Sequence, residues 1–108
     1  MSRIIRSALF KRQLIEITSG YRVRAESEIA LKLVDQIDAG IRFIATRPLA
    51  CAVYTRLEDK EFRKWRVQDF PVSIFFRLEG EDTIILEALY VHRMNIATRL
   101  PKDVESRR

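Results

Sequence analysis

Apolar residues recur at helical spacing through the first half of the chain. After Ala8, successive apolar positions lie four, three and four residues apart, which is the spacing of one face of a helix. The positions of this first stripe are Phe10, Leu14, Ile17 and Tyr21. We predict a helix from Ala8 that weakens or stops at Gly20, because glycine is a poor helix former.

A longer apolar face follows Arg24. Ser27 is expected to cap this second segment or to lie inside its first turn, because serine side chains satisfy free N–H groups where helices begin. The apolar face comprises Ala30, Leu33, Val34, Ile37, Ile41 and Ile44. Pro48 ends the segment, because the residue before a proline disfavours helical backbone. The pattern therefore predicts a helical hairpin.

Alternation of apolar and polar residues predicts strands elsewhere. The segments are Ile4-Ile5, residues 62–67, residues 72–78 and residues 83–90, of which 72–78 is apolar on both sides. Asp69-Phe70-Pro71 supplies one turn, and Gly80 supplies a tight hairpin turn because glycine accepts a positive φ. Residues 49–59 are predicted to be a connecting loop or a loosely paired extended piece. From Asn95 the chain is polar, and Pro101 is expected to break any long helix there.

The phase within each strand assigns side chains to faces. Arg63, Trp65 and Val67 share one predicted face, and Lys64 and Arg66 share the other. In the last strand, the predicted common face comprises Ile84, Leu86, Ala88 and Tyr90. Trp65 and Tyr90 are therefore expected to pack in the core rather than to take part in chemistry.

These elements in order, β-α-α-β-β-β, predict an α+β domain in which a two-helix hairpin packs on a small antiparallel sheet. The length of 108 residues corresponds to one domain. Residues 1–108 are expected to form it, with residues 96–108 as a polar C-terminal tail. An apolar content of 47% is enough to build a core.

Composition excludes several classes of protein. No run of about 20 apolar residues is present, so no membrane span is expected. The N-terminal segment lacks the apolar stretch of a signal peptide, because Lys11 and Arg12 interrupt it. One cysteine and one histidine cannot form an internal disulfide or a structural zinc site. We therefore expect a cytoplasmic protein without metal or cofactor, and Cys51 is expected to be a buried, small apolar residue.

The charge is basic and carried mostly by arginine. The formal net charge is +5, and 15 of the 20 basic residues are arginine. Residues 1–25 alone hold six basic residues and one acidic residue. Such a surface suits a polyanion or an acidic protein partner, although excess arginine is also common on a plain solvated face. Arginine offers a planar fork for phosphate and carboxylate groups.

Three strings follow the two amphipathic helices in order. They are WRVQDFPVSIFFR at residues 65–77, EGEDTIIL at residues 79–86, and RMNI at residues 93–96 with Leu100 after it. Together they resemble the RelE/ParE superfamily of toxins from bacterial type II toxin–antitoxin modules. Members typically carry a phrase such as R-x-F-P-Y-x-I-F-Y-R, a short glycine turn, an apolar strand and then L-H-x-R-M-D. The resemblance extends from the first strand to about Leu100.

The resemblance implies one of two activities. RelE-like members cut messenger RNA in the ribosome, whereas ParE-like members poison DNA gyrase. RNA cleavage needs charge stabilisation and an acid–base pair. The nuclease candidates are Arg63, Lys64, Arg66, His92 and Arg93. Val91 occupies the position of the family's histidine, His92 comes one residue later, and no tyrosine follows Arg93. The incomplete set favours the ParE-like branch, with the ribosome-dependent endonuclease as the alternative and an inactive binding module as a third class.

The resemblance also implies a cognate antitoxin bound in a hetero-oligomer. The target, gyrase or alternatively the ribosome and its messenger RNA, is expected to contact Lys64, Arg66, Arg77, Arg93 and Asn95. The antitoxin is expected to contact Phe10, Leu14, Ile15, Val72 and Ile74. Family antitoxins are typically acidic and amphipathic, so the basic N-terminal segment would attract one.

Overall fold

A computed structural model describes residues 3–24 and 27–105 of the chain. The elements are β1 (Arg3–Arg6), α1 (Ala8–Arg24), α2 (Ser27–Thr46), β2 (Val53–Leu57), β3 (Lys60–Arg66), β4 (Val72–Glu79), β5 (Thr83–Val91) and α3 (Ile96–Glu105). A single 3₁₀ turn, Pro48–Ala50, connects α2 to β2. The described residues thus form an α+β fold of three α-helices and one five-stranded sheet.

The sheet is mixed, with the strand order β1-β5-β4-β3-β2. Strands β2 to β5 form consecutive antiparallel pairs, as predicted for the three strands assigned from alternation. β1 instead runs parallel to β5, with Ile4 opposite Ile84. The prediction of a wholly antiparallel sheet is therefore wrong at this edge, because two helices and three strands separate β1 from β5 in the chain and no hairpin turn sets its direction.

The main core lies between the helical hairpin and one face of the sheet. Both predicted helices and their apolar stripes are confirmed, since Phe10, Leu33, Ile37 and Ile44 are at most 1% exposed. The helix α1 does not stop at Gly20 but continues to Arg24. Tyr21 packs edge-on against Phe70 at 5.5 Å between ring centroids. Tertiary packing of this last turn outweighs the weak helix propensity of glycine.

One element was left open by the sequence pattern and another was missed. β2 lies within residues 49–59 and pairs with β3 through a register shift at Val53/Thr55, which is the loosely paired extended piece rather than the connecting loop. Residues 96–105 form α3 rather than a polar tail, with Pro101 inside the helix. The fully buried Leu100 fastens α3 to the sheet, and the Tyr90 hydroxyl donates to Asp103 at 2.5 Å. Ile96, Leu100 and Val104 lie four residues apart and pack in one cluster, so a helical stripe was present in the sequence. Pro101 in its middle argued against a helix.

A bulge in β5 splits the predicted common face. Phe75 is opposite Ala88 and Phe76 is opposite Leu86, which leaves Glu87 as the extra residue. Ile84 and Leu86 therefore pack in the main core. Ala88 and Tyr90 instead pack in a second, smaller core on the opposite face. An extra residue in one strand reverses the side-chain phase beyond it.

The second core lies between the sheet and α3. Its buried members are Leu9, Phe62, Phe75, Ala88, Tyr90 and Leu100. The Arg77–Glu87 ion pair, with Nε and Oε2 2.6 Å apart, lies near its edge. Within the described residues, no helix is long and apolar enough to cross a membrane.

Candidate functional site

Lys64 and Arg66 lie on the sheet face opposite the α1–α2 hairpin. Directly paired residues of neighbouring strands share a face, and Lys64 pairs with Phe75 of the second core while Arg66 pairs with Ser73. Both basic side chains are exposed. The alternation within β3 thus places two cations side by side above a rigid sheet.

His92 follows β5 and contacts the same region. Its backbone N–H donates to the Pro71 carbonyl at 2.8 Å, which fixes the chain where the strand ends. Nε2 lies 2.7 Å from Ser73 Oγ, and Nδ1 lies 3.5 Å from Arg66 Nη1. A guanidinium can only donate, so Nδ1 is the acceptor and Nε2–H donates to the serine hydroxyl. This hydrogen-bond logic assigns the proton of the neutral imidazole to Nε2.

The surroundings of His92 favour its neutral form. Burial lowers the pKa of the imidazole below its ordinary value of 6.5, and the charges of Arg66 and Lys64 lower it further. The imidazole is therefore neutral at pH 7, and Nδ1 is its unprotonated nitrogen. Among the described residues, the charged groups that shift the pKa of His92 are both cations, and no carboxylate is found that would favour the protonated imidazole.

We define Lys64, Arg66, Ser73 and His92 as the β3 basic cluster. Lys64 Nζ lies 5.6 Å from the ring centroid of Tyr54, and within residues 3–24 and 27–105 neither Lys64 nor Arg66 forms an ion pair. Three arginines of the sheet, Arg56, Arg63 and Arg77, are instead paired, for example Arg56 with Glu61 at 2.7 Å. The cluster can bind an anion and accept a proton.

Two of the predicted nuclease residues lie elsewhere. Arg63 alternates with Lys64 and Arg66, so it projects from the other face, where its Nη1 donates to the Cys51 carbonyl at 2.6 Å. Its Nη2 pairs with Glu61 at 2.8 Å. Arg93 lines a separate cleft between α1 and α3. The structure therefore brings together Lys64, Arg66 and His92, but not Arg63 or Arg93.

The remaining candidates for target contact differ in accessibility. The Arg77 side chain is 13% exposed and is held by Glu87, so it offers little to an external partner. Asn95 is exposed at the start of α3, where its carbonyl accepts the backbone N–H of Arg99 at 2.8 Å. Asn95 is accessible but lies at a helix start, outside the β3 basic cluster.

Most of the residues predicted to contact an antitoxin belong to the core. Phe10, Val72 and Ile74 are 0% exposed, so their side chains are not available on the folded surface. Leu14 is half-buried, and Ile15 is 65% exposed. The predicted docking surface is thereby reduced to the exposed side of α1, because both faces of β4 are covered by core residues and neither is available to a partner.

A cleft between α1, the end of β5 and α3 was not foreseen from the sequence. It has a volume of about 460 Å³ and an apolar floor that includes Leu9, Leu89 and Met94. Arg12, Arg93 and Arg99 also line it. The cleft exists only because α3 folds back against the sheet, so no sequence pattern could reveal it before that helix was known.

Trp65, Tyr90 and Cys51 pack in the interior, as predicted from the sequence. Trp65 stacks on Phe43 with 4.3 Å between ring centroids and packs against the main core. Cys51 is buried. Burial raises the pKa of its thiol, and the charge of Arg63 opposes that rise. This thiol is therefore not activated as a nucleophile.

Ser73 is the site residue that sequence reasoning missed. It is 1% exposed and occupies a polar position within a strand of otherwise buried apolar residues, residues 72–76. A buried hydroxyl requires a partner, and the isolated serine in this apolar stretch was the available signal. Its partner, His92, lies 19 residues away in the sequence.

Comparison with solved structures identifies a similar fold. A chain described as "Chromosomal ParDE TA system from P. aeruginosa" superimposes with a TM-score of 0.69 and 21% sequence identity, covering 82% of this chain and 94% of that chain. No family model matches the sequence, and no curated protein matches it either. At this identity the likeness establishes a shared fold.

Proposed function

We propose that this protein is the toxin of a type II toxin–antitoxin module. On this proposal it is of the ParE-like branch, inhibits growth by binding DNA gyrase, and is neutralised by a cognate antitoxin. The observation that carries the proposal is the shared fold, which accounts for 94% of a chain of the P. aeruginosa ParDE system. The strings at residues 65–77 and 93–96 support the same assignment independently of the fold.

The composition of the site favours binding over catalysis. RNA cleavage requires a base, a stabiliser of phosphorane charge and an acid that protonates the leaving oxygen. Lys64, Arg66 and His92 supply the first two roles. The described residues supply no acid beside them, since Tyr90 donates to Asp103 and its pKa is raised, mainly by burial. A surface of this kind binds an anionic target without completing an acid–base pair.

The second candidate function is a ribosome-dependent messenger RNA endonuclease of the RelE type. A specific observation favours it: the neutral imidazole of His92 lies beside two cations that could hold a phosphate. In that case the ribosome or the RNA would have to supply the missing acid. Arg66 would then stabilise charge, and Nδ1 of His92 would act as the base.

Pulse labelling after induction of the protein alone in growing bacteria distinguishes the two functions. DNA and protein synthesis are followed separately. We expect DNA synthesis to stop first and the DNA-damage response to rise, and purified protein should then inhibit supercoiling by gyrase. Collapse of protein synthesis while DNA synthesis continues would instead establish the endonuclease. Unimpaired growth at confirmed expression would contradict both and leave only a binding module.

Matched variants refine this test. Arg66→Gln removes a cation of the β3 basic cluster, whereas Arg42→Gln removes an exposed arginine from α2. If the cluster contacts the target, only the first variant loses toxicity. Equal toxicity of both variants would place target contact elsewhere on the protein.

The proposed antitoxin contact is tested on α1. Ile15 on α1 and Leu31 on α2 are both exposed apolar residues, each 65% exposed. We expect Ile15→Asp to weaken the complex with the antitoxin at least about tenfold, because an apolar contact is lost and a like charge faces an acidic segment. Leu31→Asp serves as the control and should leave the affinity unchanged. Unchanged affinity after removal of the antitoxin's acidic tail would contradict the electrostatic part of the proposal.

A further inference from the structure

The cleft between α1, the end of β5 and α3 combines an apolar floor with a rim of arginines. Its volume of about 460 Å³ lies within the range of small-ligand pockets, about 300–1,000 Å³. The apolar lining comprises Leu9, Ile17, Leu89, Val91 and Met94. We propose that this cleft is a binding site for a small amphipathic carboxylate, whose apolar body lies on the floor and whose carboxylate pairs with Arg93. Binding of this kind is independent of growth arrest and can be measured on the purified protein.

The charges around the cleft select the sign of the ligand. Within the described chain, five charged side chains line it, and four of them pair with one another. Arg12 Nε lies 3.9 Å from Glu16 Oε1, and Arg99 Nε lies 3.9 Å from Asp103 Oδ2. Arg93 is exposed and forms no ion pair with any residue of 3–24 or 27–105. The cleft therefore carries one uncompensated positive charge, which a single carboxylate would neutralise.

Hydrogen bonds to β5 and to the residue beside it hold the walls of the cleft in place. On the α1 side, Gln13 is 7% exposed, and its Oε1 accepts the backbone N–H of Leu89 at 2.7 Å. On the α3 side, the hydroxyl of Tyr90 donates to Asp103 at 2.5 Å. Both helices are thus tied to neighbouring residues of one strand. A cleft that is fixed before the ligand arrives spends less free energy on ordering its walls.

The side chains at the mouth and on the floor suit the two ends of such a ligand. A guanidinium binds the two oxygens of a carboxylate through parallel hydrogen bonds. Met94, next to Arg93 in the chain, is half-buried, and its flexible thioether side chain can adapt to the shape of a hydrocarbon body. The carboxylate and the apolar body are therefore recognised by adjacent residues.

Met94 also provides a probe inside the cleft. The chain contains two methionines, Met1 and Met94, so ¹³C labelling of the methionine methyl groups gives two NMR signals, which Met94→Leu assigns. Decanoate is the probe ligand. We expect decanoate to shift the Met94 methyl signal saturably and to show nuclear Overhauser contacts between its chain and that methyl group. A Met94 signal unchanged by decanoate would overturn the proposal.

Matched probes test the role of the charge. Decanol and decylammonium carry the same hydrocarbon chain with a neutral and a cationic head group. Each should bind at least about tenfold more weakly than decanoate, because neither can accept charge-assisted hydrogen bonds from a guanidinium. Equal binding of the three probes would reduce the cleft to a non-specific apolar surface and overturn the proposal.

Matched variants locate the charge. Arg93→Gln should weaken decanoate binding at least about tenfold and leave decanol binding unchanged. The control Arg22→Gln removes an exposed arginine of α1 that does not line the cleft and should leave both affinities unchanged. Equal affinities of the two variants for decanoate would contradict the assignment to Arg93. A Met94 shift with an acidic amphipathic peptide but not with decanoate would assign the cleft to a protein segment instead and overturn the proposal.

Binding should also hold α3 against the sheet. The cleft exists only while α3 is docked, so a ligand in the cleft stabilises the docked helix by mass action. At a decanoate concentration about ten times Kd, amide hydrogen exchange in α3 should slow about tenfold. Unchanged exchange in α3 at that concentration would place the ligand outside the cleft and overturn the proposal.

Discussion

Gly40 lies on the buried face of α2, directly against the indole of Trp65. A Cβ atom added to Gly40 would lie 2.5 Å from Trp65 Nε1, 2.7 Å from Cδ1 and 3.3 Å from Ile74 Cδ1. Comfortable carbon contacts require about 3.5–4.0 Å. The ring would therefore have to move by about 1 Å, but it is stacked on Phe43 and has little room to do so. We predict that Gly40→Ala destabilises the fold.

The size of the effect follows from two opposing contributions. Overpacking a core costs about 1–3 kcal/mol, and contact with two atoms of a rigid ring places this site in the upper half of that range. Alanine stabilises a helix interior by about 1 kcal/mol relative to glycine. The net loss in free energy of unfolding is about 1–2 kcal/mol, which lowers Tm by roughly 5–10 °C in a domain of this size.

Urea and thermal denaturation monitored by circular dichroism measure this loss. Ala39→Gly is the matched control for helix propensity, because Ala39 is exposed and immediately precedes Gly40. It should cost about 1 kcal/mol through the helix alone. In a Trp65→Leu background the clash disappears, and Gly40→Ala should become neutral or stabilising. A Gly40→Ala protein as stable as the parent would refute the reasoning, since the indole would then have moved at no cost.

Three further predictions concern the second core, the buried ion pair and the histidine. Leu100→Ala should lower the free energy of unfolding by about 2–3 kcal/mol and speed amide hydrogen exchange in α3, because Leu100 is the buried anchor of that helix. Unchanged exchange rates in α3 would contradict this prediction. Glu87→Gln should lower the free energy of unfolding by about 3 kcal/mol, because it leaves Arg77 buried without its main counter-charge. The control Glu79→Gln removes an exposed carboxylate and should lower it by under about 1 kcal/mol. Similar losses for the two variants in urea denaturation would argue against a buried ion pair. His92 has a folded-state pKa below 6.5, so the unfolded chain binds the proton first, and stability should be full above pH 6.5 and fall as the pH drops through the folded pKa. As the pH drops, the parent should therefore lose more free energy of unfolding than His92→Gln. Parallel profiles of stability against pH for the two proteins would contradict this prediction.

Local pattern in the sequence determined the helices α1 and α2 and the hairpins that join β3, β4 and β5. The stripes of α1 and α2 follow from a period that is intrinsic to the helix, and each is long enough to be recognised without a partner. The turn at Gly80, which adopts φ +69, and the alternating strands on either side of it were likewise evident. Lys64 and Arg66 could be assigned to one exposed face for the same reason, since alternation depends only on neighbouring residues.

Contacts between distant segments decided the rest. The parallel pairing of β1 with β5, the bulge at Glu87 and the docking of α3 through Leu100 depend on partners far away in the sequence. No local period encodes them. The site follows the same division: its cations were visible in the sequence, but the contact of His92 with Ser73 arises only when β4 and the end of β5 lie side by side. Composition supplied the charge, and the sheet brought Arg66 and Lys64 beside the single imidazole, whose pKa is lowered by burial and by these two cations.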